Sequence, residues 1–166
     1  VSTGTLGSGA LAPSGDGIRM VWNPRKAAFR AGETTGAQWN DVNIGVISTA
    51  FGFNAIASGN FSTAFGGNTI ASGATSTAFG STTIASGFRS TVFGYENTSS
   101  SHGETVIGIG ATTYTPSTNG DTQFRTANST DRLFVVGNAI DVNNNSTVDV
   151  AERSDAMVVL KNGLTR

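Results

Sequence analysis

The chain has 166 residues, 37% of them hydrophobic and only 13% charged, with a formal net charge of −1, one histidine and no cysteine. So even a balance gives no electrostatic drive toward nucleic acid or an anionic membrane, and the lack of cysteine excludes both a disulfide framework and thiol chemistry. No apolar run approaches the roughly 18 residues that a membrane-crossing helix needs, so no membrane span is expected within these residues.

Val1 to Gly17 is rich in Gly, Ser and Thr, without a basic start or an apolar leader core. It reads as a flexible lead or extended connector rather than a signal peptide. Val1 is not a natural initiator, and the C-terminal Lys161-Asn162-Gly163-Leu164 has only begun an Asn-Gly reversal, so the sequence is expected to be a piece of a longer protein. From Ile18 the pattern changes: Ile18, Met20 and Trp22 alternate with Arg19 and Val21, Asn23-Pro24 turns the chain, and Lys26 to Ala31 can return as a β-hairpin partner. Gln38-Trp39-Asn40-Asp41 then leads into the part that dominates the chain.

Between Asn43 and Gly108 the sequence repeats every 14 residues. The columns are Ser48, Ser62, Ser76, Ser90; Thr49, Thr63, Thr77, Thr91, Thr105; Ala50, Ala64, Ala78, Val92, Val106; Phe51, Phe65, Phe79, Phe93, Ile107; and Gly52, Gly66, Gly80, Gly94, Gly108. A second half supplies Ile56, Ile70, Ile84, then Ala57, Ala71, Ala85, then Gly59, Gly73, Gly87. A glycine about every seven residues would cost a helix roughly 1 kcal/mol each time, so helix is excluded. Short β-branched and small-residue runs closed by Gly fit two strands and two tight turns per repeat, one coil of a β-solenoid. Stacked coils turn each column into a ladder of like side chains roughly 4.8 Å apart.

Strand alternation puts Thr with Phe on one face and Ser with Ala on the other. Phe and Ile are expected to fill the roll, leaving Ala50, Ala64 and Ala78 on a smooth outer face; the reverse puts Ala inside and the Phe ladder between chains. Either way a lone chain exposes an apolar stripe several coils long, which predicts an oligomer. An open solenoid end also needs covering, and Trp22, Phe29 and Trp39 are expected to cap it. With Arg19, Arg25 and Arg30 the same residues could instead form a sugar or receptor pocket.

The repeat loosens after Tyr95. Ser99-Ser100-Ser101-His102-Gly103 replaces the Ala-Ser-Gly turn, and His102 is expected as an exposed turn residue without a catalytic or metal role. Ile109 to Thr130 reads as a long polar connection of the kind that carries recognition. Leu133 to Gly137 and Ala156 to Leu160 are two further strands. Between them, Asp141, Asn143, Asn145, Asp149 and Glu152 fall at positions 1, 3, 5, 9 and 12 of a candidate calcium loop of EF-hand type. Ser146 stands at position 6, where Gly is expected, and no amphipathic helix flanks the loop, so the alternative is an Asn-rich solvated hairpin tip.

The Ser-Thr-Ala-Phe-Gly and Ile-Ala-Ser-Gly alternation at this period resembles the head repeats of trimeric autotransporter adhesins, the YadA-like heads. The resemblance covers about five coils and departs from the commoner motif in using Phe51, Phe65 and Phe79 where Ile is usual. It implies an all-β, left-handed parallel β-roll of 14-residue coils, three chains around a threefold axis, flanked here by hairpin segments. The organisation expected is residues 1–42 as lead and capping hairpin, 43–111 as the head-repeat roll, and 112–166 as a loop and β-hairpin connector toward a stalk or anchor. The 132–163 segment resembles the stretch C-terminal to the head repeats in bacterial fibre proteins, some of which continue to a self-cleaving chaperone whose Ser-Lys chemistry has no counterpart here.

No nucleophile, base and orienting group share a recognisable spacing, and the glycines belong to coil turns, so an enzyme is not expected. The resemblance implies a surface-displayed homotrimeric adhesin head on a bacterial cell, attaching to an unknown receptor, glycan or matrix component. Candidate contact residues are the variable turn positions Phe53, Asn54, Asn60, Phe61, Asn68, Phe88 and Arg89, together with Thr112 to Thr130. Two alternatives stand beside it: a receptor-binding fibre of a phage or contractile injection particle, and an ice-binding solenoid using the Thr ladder.

Overall fold

The structure, a computed structural model, describes residues 4–9 and 13–166, so part of the expected N-terminal lead lies outside the described residues. Among these the chain is all-β, with short 3-10 turns and no α-helix. β1 (Gly17–Asn23) and β2 (Ala28–Thr34) form the N-terminal hairpin. The coils come next, each a longer and a shorter strand: β3 (Thr49–Phe53) with β4 (Ile56–Ala57), β5 (Thr63–Gly67) with β6 (Ile70–Ala71), β7 (Thr77–Ser81) with β8 (Ile84–Ala85), and β9 (Thr91–Tyr95) with β10 (Thr98–Ser99). β11 (Thr105–Ile109), β12 (Arg132–Asn138) and β13 (Asp155–Leu160) complete the chain.

The long strands stack in parallel with like residues side by side, Thr49 by Thr63 and Phe51 by Phe65. The result is a parallel β-solenoid of 14-residue coils with a nine-stranded sheet, β1-β2-β3-β5-β7-β9-β11-β12-β13, and a four-stranded sheet, β10-β8-β6-β4. Tight stacking explains the glycine column. Gly66 has φ +122°, and a Cβ there would lie 1.9 Å from the Gly80 carbonyl oxygen, so no side chain is compatible with the spacing of the coils.

Alternation holds, but the face expected inside is outside. Ala50, Ala64, Ala78, Val92, Val106 and Val135 are fully buried and meet Ala57, Ala71 and Ala85 across the roll. Phe51, Phe65, Phe79 and Phe93 remain 36%, 46%, 45% and 41% exposed, and Ile56, Ile70 and Ile84 are only half-buried. The physical reason is volume. The interior between the two strand layers of so short a coil is filled along its repeats by small side chains, Ser, Ala, Thr and Val, and much of it is polar: Ser48 Oγ and Ser62 Oγ each donate to the carbonyl three residues earlier at 2.6 Å.

The ends are closed differently from the expected three-aromatic cap. Trp39 is buried and donates its indole N–H to Ala55 O at 2.8 Å, whereas Trp22 is exposed and Phe29 joins the outer ladder. The second plug is Arg30, which occupies the Ala column opposite Ala50. Its guanidinium donates to Ser48 O, Ser48 Oγ and Ala57 O at 2.8 to 2.9 Å, and burial lowers its pKa to about 10. A sugar pocket using Arg30 is therefore excluded by its burial. At the other end Asn97 bonds Phe93 O, Gly108 O and Ala111 N–H, closing the last full coil. The chain then leaves over 112–131 and returns as β12, parallel to β11 with Val135 beside Val106, before β13 pairs antiparallel to β12.

Candidate functional site

Three surfaces are built by this fold. The first is the outward face of the large sheet. Strand alternation and register place Met20 opposite Ala31, Ala31 beside Phe51, the Phe column after it, and then Ile107 beside Val136 and Val136 opposite Met157. Trp22 and Phe29 lie on the same face. From Phe29 to Phe93 successive rings are 5.0 to 5.9 Å apart, within the range of favourable aromatic pairing. An apolar stripe thus crosses all nine strands, about 40 Å at the usual strand spacing.

The second surface comprises the two turn edges. Phe53, Asn54 and Asn68 lie on one; Asn60, Phe61, Phe88 and Arg89 lie on the other, so the candidate contact residues are split rather than brought to one place. The turn positions Asn54, Asn68, Phe61 and Arg89 share left-handed backbone, with φ between +52° and +58°. Asn54 and Asn60 also hold the stack, accepting from Thr35 N–H and Val46 N–H at 2.8 and 3.0 Å.

On the second edge, Phe88 and Arg89 meet residues from far along the chain. His102, expected exposed, is buried, because the 112–131 excursion folds back over it. Its ring lies 5.4 Å from Phe88 and 4.8 Å from Phe124, and its backbone N–H donates to Gly120 O at 2.8 Å. Burial lowers its pKa, and Lys161 and Arg89 act in the same direction. Beside this stack is a cavity of about 420 Å³ lined by Arg89, His102, Gly103, Phe124, Leu133 and Lys161. Two residues after His102, Glu104 is fully buried, with Oε2 accepting Ser100 and Ser101 N–H at 2.7 and 2.9 Å; burial raises its pKa. The excursion is anchored by Asp131, which accepts from Tyr114 Oη, Ser117 N–H and Ser117 Oγ at 2.7 to 2.9 Å. The Tyr114 pKa is pushed up to about 12 by burial and by Asp131.

The third surface is the loop from Asp141 to Glu152. The Asp141 carboxylate accepts N–H groups of Asn145 and Ser146 at 3.2 and 2.8 Å, and Ser146 has φ +64°. Asn143 and Asn145 amides donate to Asp149 Oδ2 at 2.6 and 3.2 Å, while Glu152 accepts Val142 and Asp149 N–H at 2.9 and 3.0 Å. The five residues thus share one hydrogen-bonded loop, although no group of three His, Cys, Asp or Glu side chains suited to a metal occurs among the described residues. The loop is docked on the last coil: Tyr95 Oη donates to Ser146 O at 2.7 Å, Glu96 accepts Val148 N–H at 2.9 Å, and Arg153 pairs with Glu96 at 3.7 Å.

The fold is that of a repeat-built parallel β-solenoid with an apolar outward ladder and variable turn edges. Residues 45–69 and 71–97 match the YadA head domain repeat, in two copies, and the coils are therefore YadA-like head repeats of the kind found in trimeric autotransporter adhesins. No curated protein and no solved structure matches the chain.

Proposed function

We propose that the chain is a homotrimeric, surface-displayed head or fibre module that mediates attachment. The observation that carries this reading is the outward Phe ladder, continuous with apolar residues of both end hairpins. A soluble monomer does not leave so long an apolar stripe in water, and its flatness and repetition suit identical faces of neighbouring chains. The head-repeat match supports three chains around one axis. Such a rod is stiff, and it multiplies each weak contact at its edges through avidity. The bacterial cell surface is the favoured setting; a phage or injection-particle fibre keeps the same assembly and differs in what the chain is joined to. Light scattering across a dilution series tests the core of the reading: a constant mass of three chains supports it, and a folded monomer at all concentrations overturns it.

For the loop at 141–152 we propose calcium binding as a second reading. Asp141, Asn143, Asn145, Asp149 and Glu152 hold the spacing of a calcium loop, and Ser146 takes the left-handed conformation that the sixth position needs. The Asn143 and Asn145 amides would turn their oxygens inward to complete the ligand set. Calorimetric titration with calcium tests it: saturable heat that disappears in Asp141→Ala and Glu152→Ala is expected. Absence of heat at about 5 mM, roughly fivefold above the Kd of the weakest sites of this kind, would sink it.

A further inference from the structure

Phe124 is an unusual surface residue, 70% exposed yet placed at the end of a row of three rings in contact, Phe88, His102 and Phe124. It lines both the cavity of about 420 Å³ carrying Arg89 and Lys161 and a cleft of about 270 Å³ with Thr122, Gln123 and Arg125. Arg89 stacks on Phe88 at 4.7 Å and makes no ion pair among the described residues. Lys161 lies 3.8 Å from Asp131, whose carboxylate is already held by Tyr114 and Ser117. Arg89 therefore keeps its donors for an outside acceptor, while Lys161, also within 3.5 Å of Gly120 O, adds positive charge beside it; Arg89 is the sole charge the chain places between Ile44 and Tyr95. The cavity is within the size range of small-ligand sites.

We propose that this cleft binds an acidic pyranose of a glycan, with the sugar's carboxylate or sulfate on Arg89 and its apolar C–H face on Phe124. A guanidinium offers two parallel donors to a planar or tetrahedral anion, and the exposed ring supplies a flat apolar surface. Gln123, Thr122 and Arg125 line an adjoining cleft that shares Phe124, placed to receive the next sugar's hydroxyls. The local pair of cations in a chain of net charge −1 favours a small anion over a polyanionic nucleic acid. The proposal deepens the attachment reading by naming a ligand class, but a single cleft suffices for it whatever the chain count.

Nuclear magnetic resonance saturation transfer and calorimetry on the whole chain provide the test, with 3′-sialyllactose, a galacturonate trisaccharide, sulfated lactose and plain lactose as probes. At least one acidic probe is expected to bind while lactose does not, which also separates carboxylate from sulfate. Arg89→Gln and Phe124→Ala are each expected to weaken binding by about tenfold or more, as loss of a charged hydrogen bond or of the stacking surface implies. Three results overturn the proposal: no acidic probe binding up to about 10 mM, a range that covers very weak sites; binding unchanged in both variants; or a change of assembly mass in Phe124→Ala, which would make the cleft a seat for a neighbouring chain. Mass measured on the same samples by light scattering keeps failure of the glycan site distinct from failure of the trimer.

Discussion

His102 illustrates how much a single residue depends on distant chain. Phe88 lies one coil earlier and reaches it by coil stacking, whereas Phe124 is brought over it only by the fold-back of 112–131. Because burial, Lys161 and Arg89 lower its pKa, the unfolded chain takes up a proton before the folded one does. Its contribution to stability is therefore complete above about pH 6.5, the ordinary histidine value, and declines as pH falls through that value toward the lower folded one. Glu104 acts in the opposite sense, since its raised pKa makes the folded state gain relative stability on acidification. His102→Phe keeps a ring in the stack and removes the titration. The thermal midpoint of the parent is expected to fall more steeply than that of the variant between pH 7 and 5, and parallel curves would refute the assignment. Nothing around Ser99-Ser100-Ser101 in the sequence signals this burial, because the signal resides in contacts with Phe124 and Gly120.

At the level of the coil, the period and alternation were legible from the columns alone, and the strand pairs match them residue for residue. What alternation cannot assign is the inward face, since a Thr-Phe face and a Ser-Ala face are both self-consistent. Size decides it: a coil with a second strand of only two residues leaves no room for Phe between its layers. The uniformly small Ser48, Ala50 and Ala57 columns carried that information. The same closeness governs the turns. Gly66→Ala would put a methyl group 1.9 Å from Gly80 O at φ +122°, so roughly 3 kcal/mol or more of stability should be lost. Denaturant melts of Gly66→Ala against Thr63→Ala, an outward change, would check this; similar midpoints for the two would be incompatible with contact between the glycines of adjacent coils.

Across the whole molecule, the outward Phe rings tie folding to the proposed association. Each of Phe51, Phe65, Phe79 and Phe93 leaves about two-fifths of its surface uncovered, and covering that remainder is worth on the order of 1 kcal/mol per ring. Phe79→Asp should therefore lower the assembly mass at micromolar concentration while β-rich circular dichroism persists, because the side chain points away from the roll. An unchanged mass would place the interface elsewhere. The sequence carried the leftover apolar stripe and the need for caps, but not Arg30 as a plug, since an arginine in a small-residue column reads as a surface charge until its carbonyl partners are seen.

Both margins of the nine-stranded sheet end in antiparallel hairpins, β1 with β2 and β12 with β13, while everything between them is parallel and in register. The interior coils are thus interchangeable units held between two fixed terminators. Duplicating or deleting one 14-residue unit would change the rod by a single strand spacing, roughly 4.8 Å, without altering either terminator or the line of the ladder. Reach is consequently a quantity that this architecture can adjust by copying a short stretch of coding sequence, with no new fold to invent.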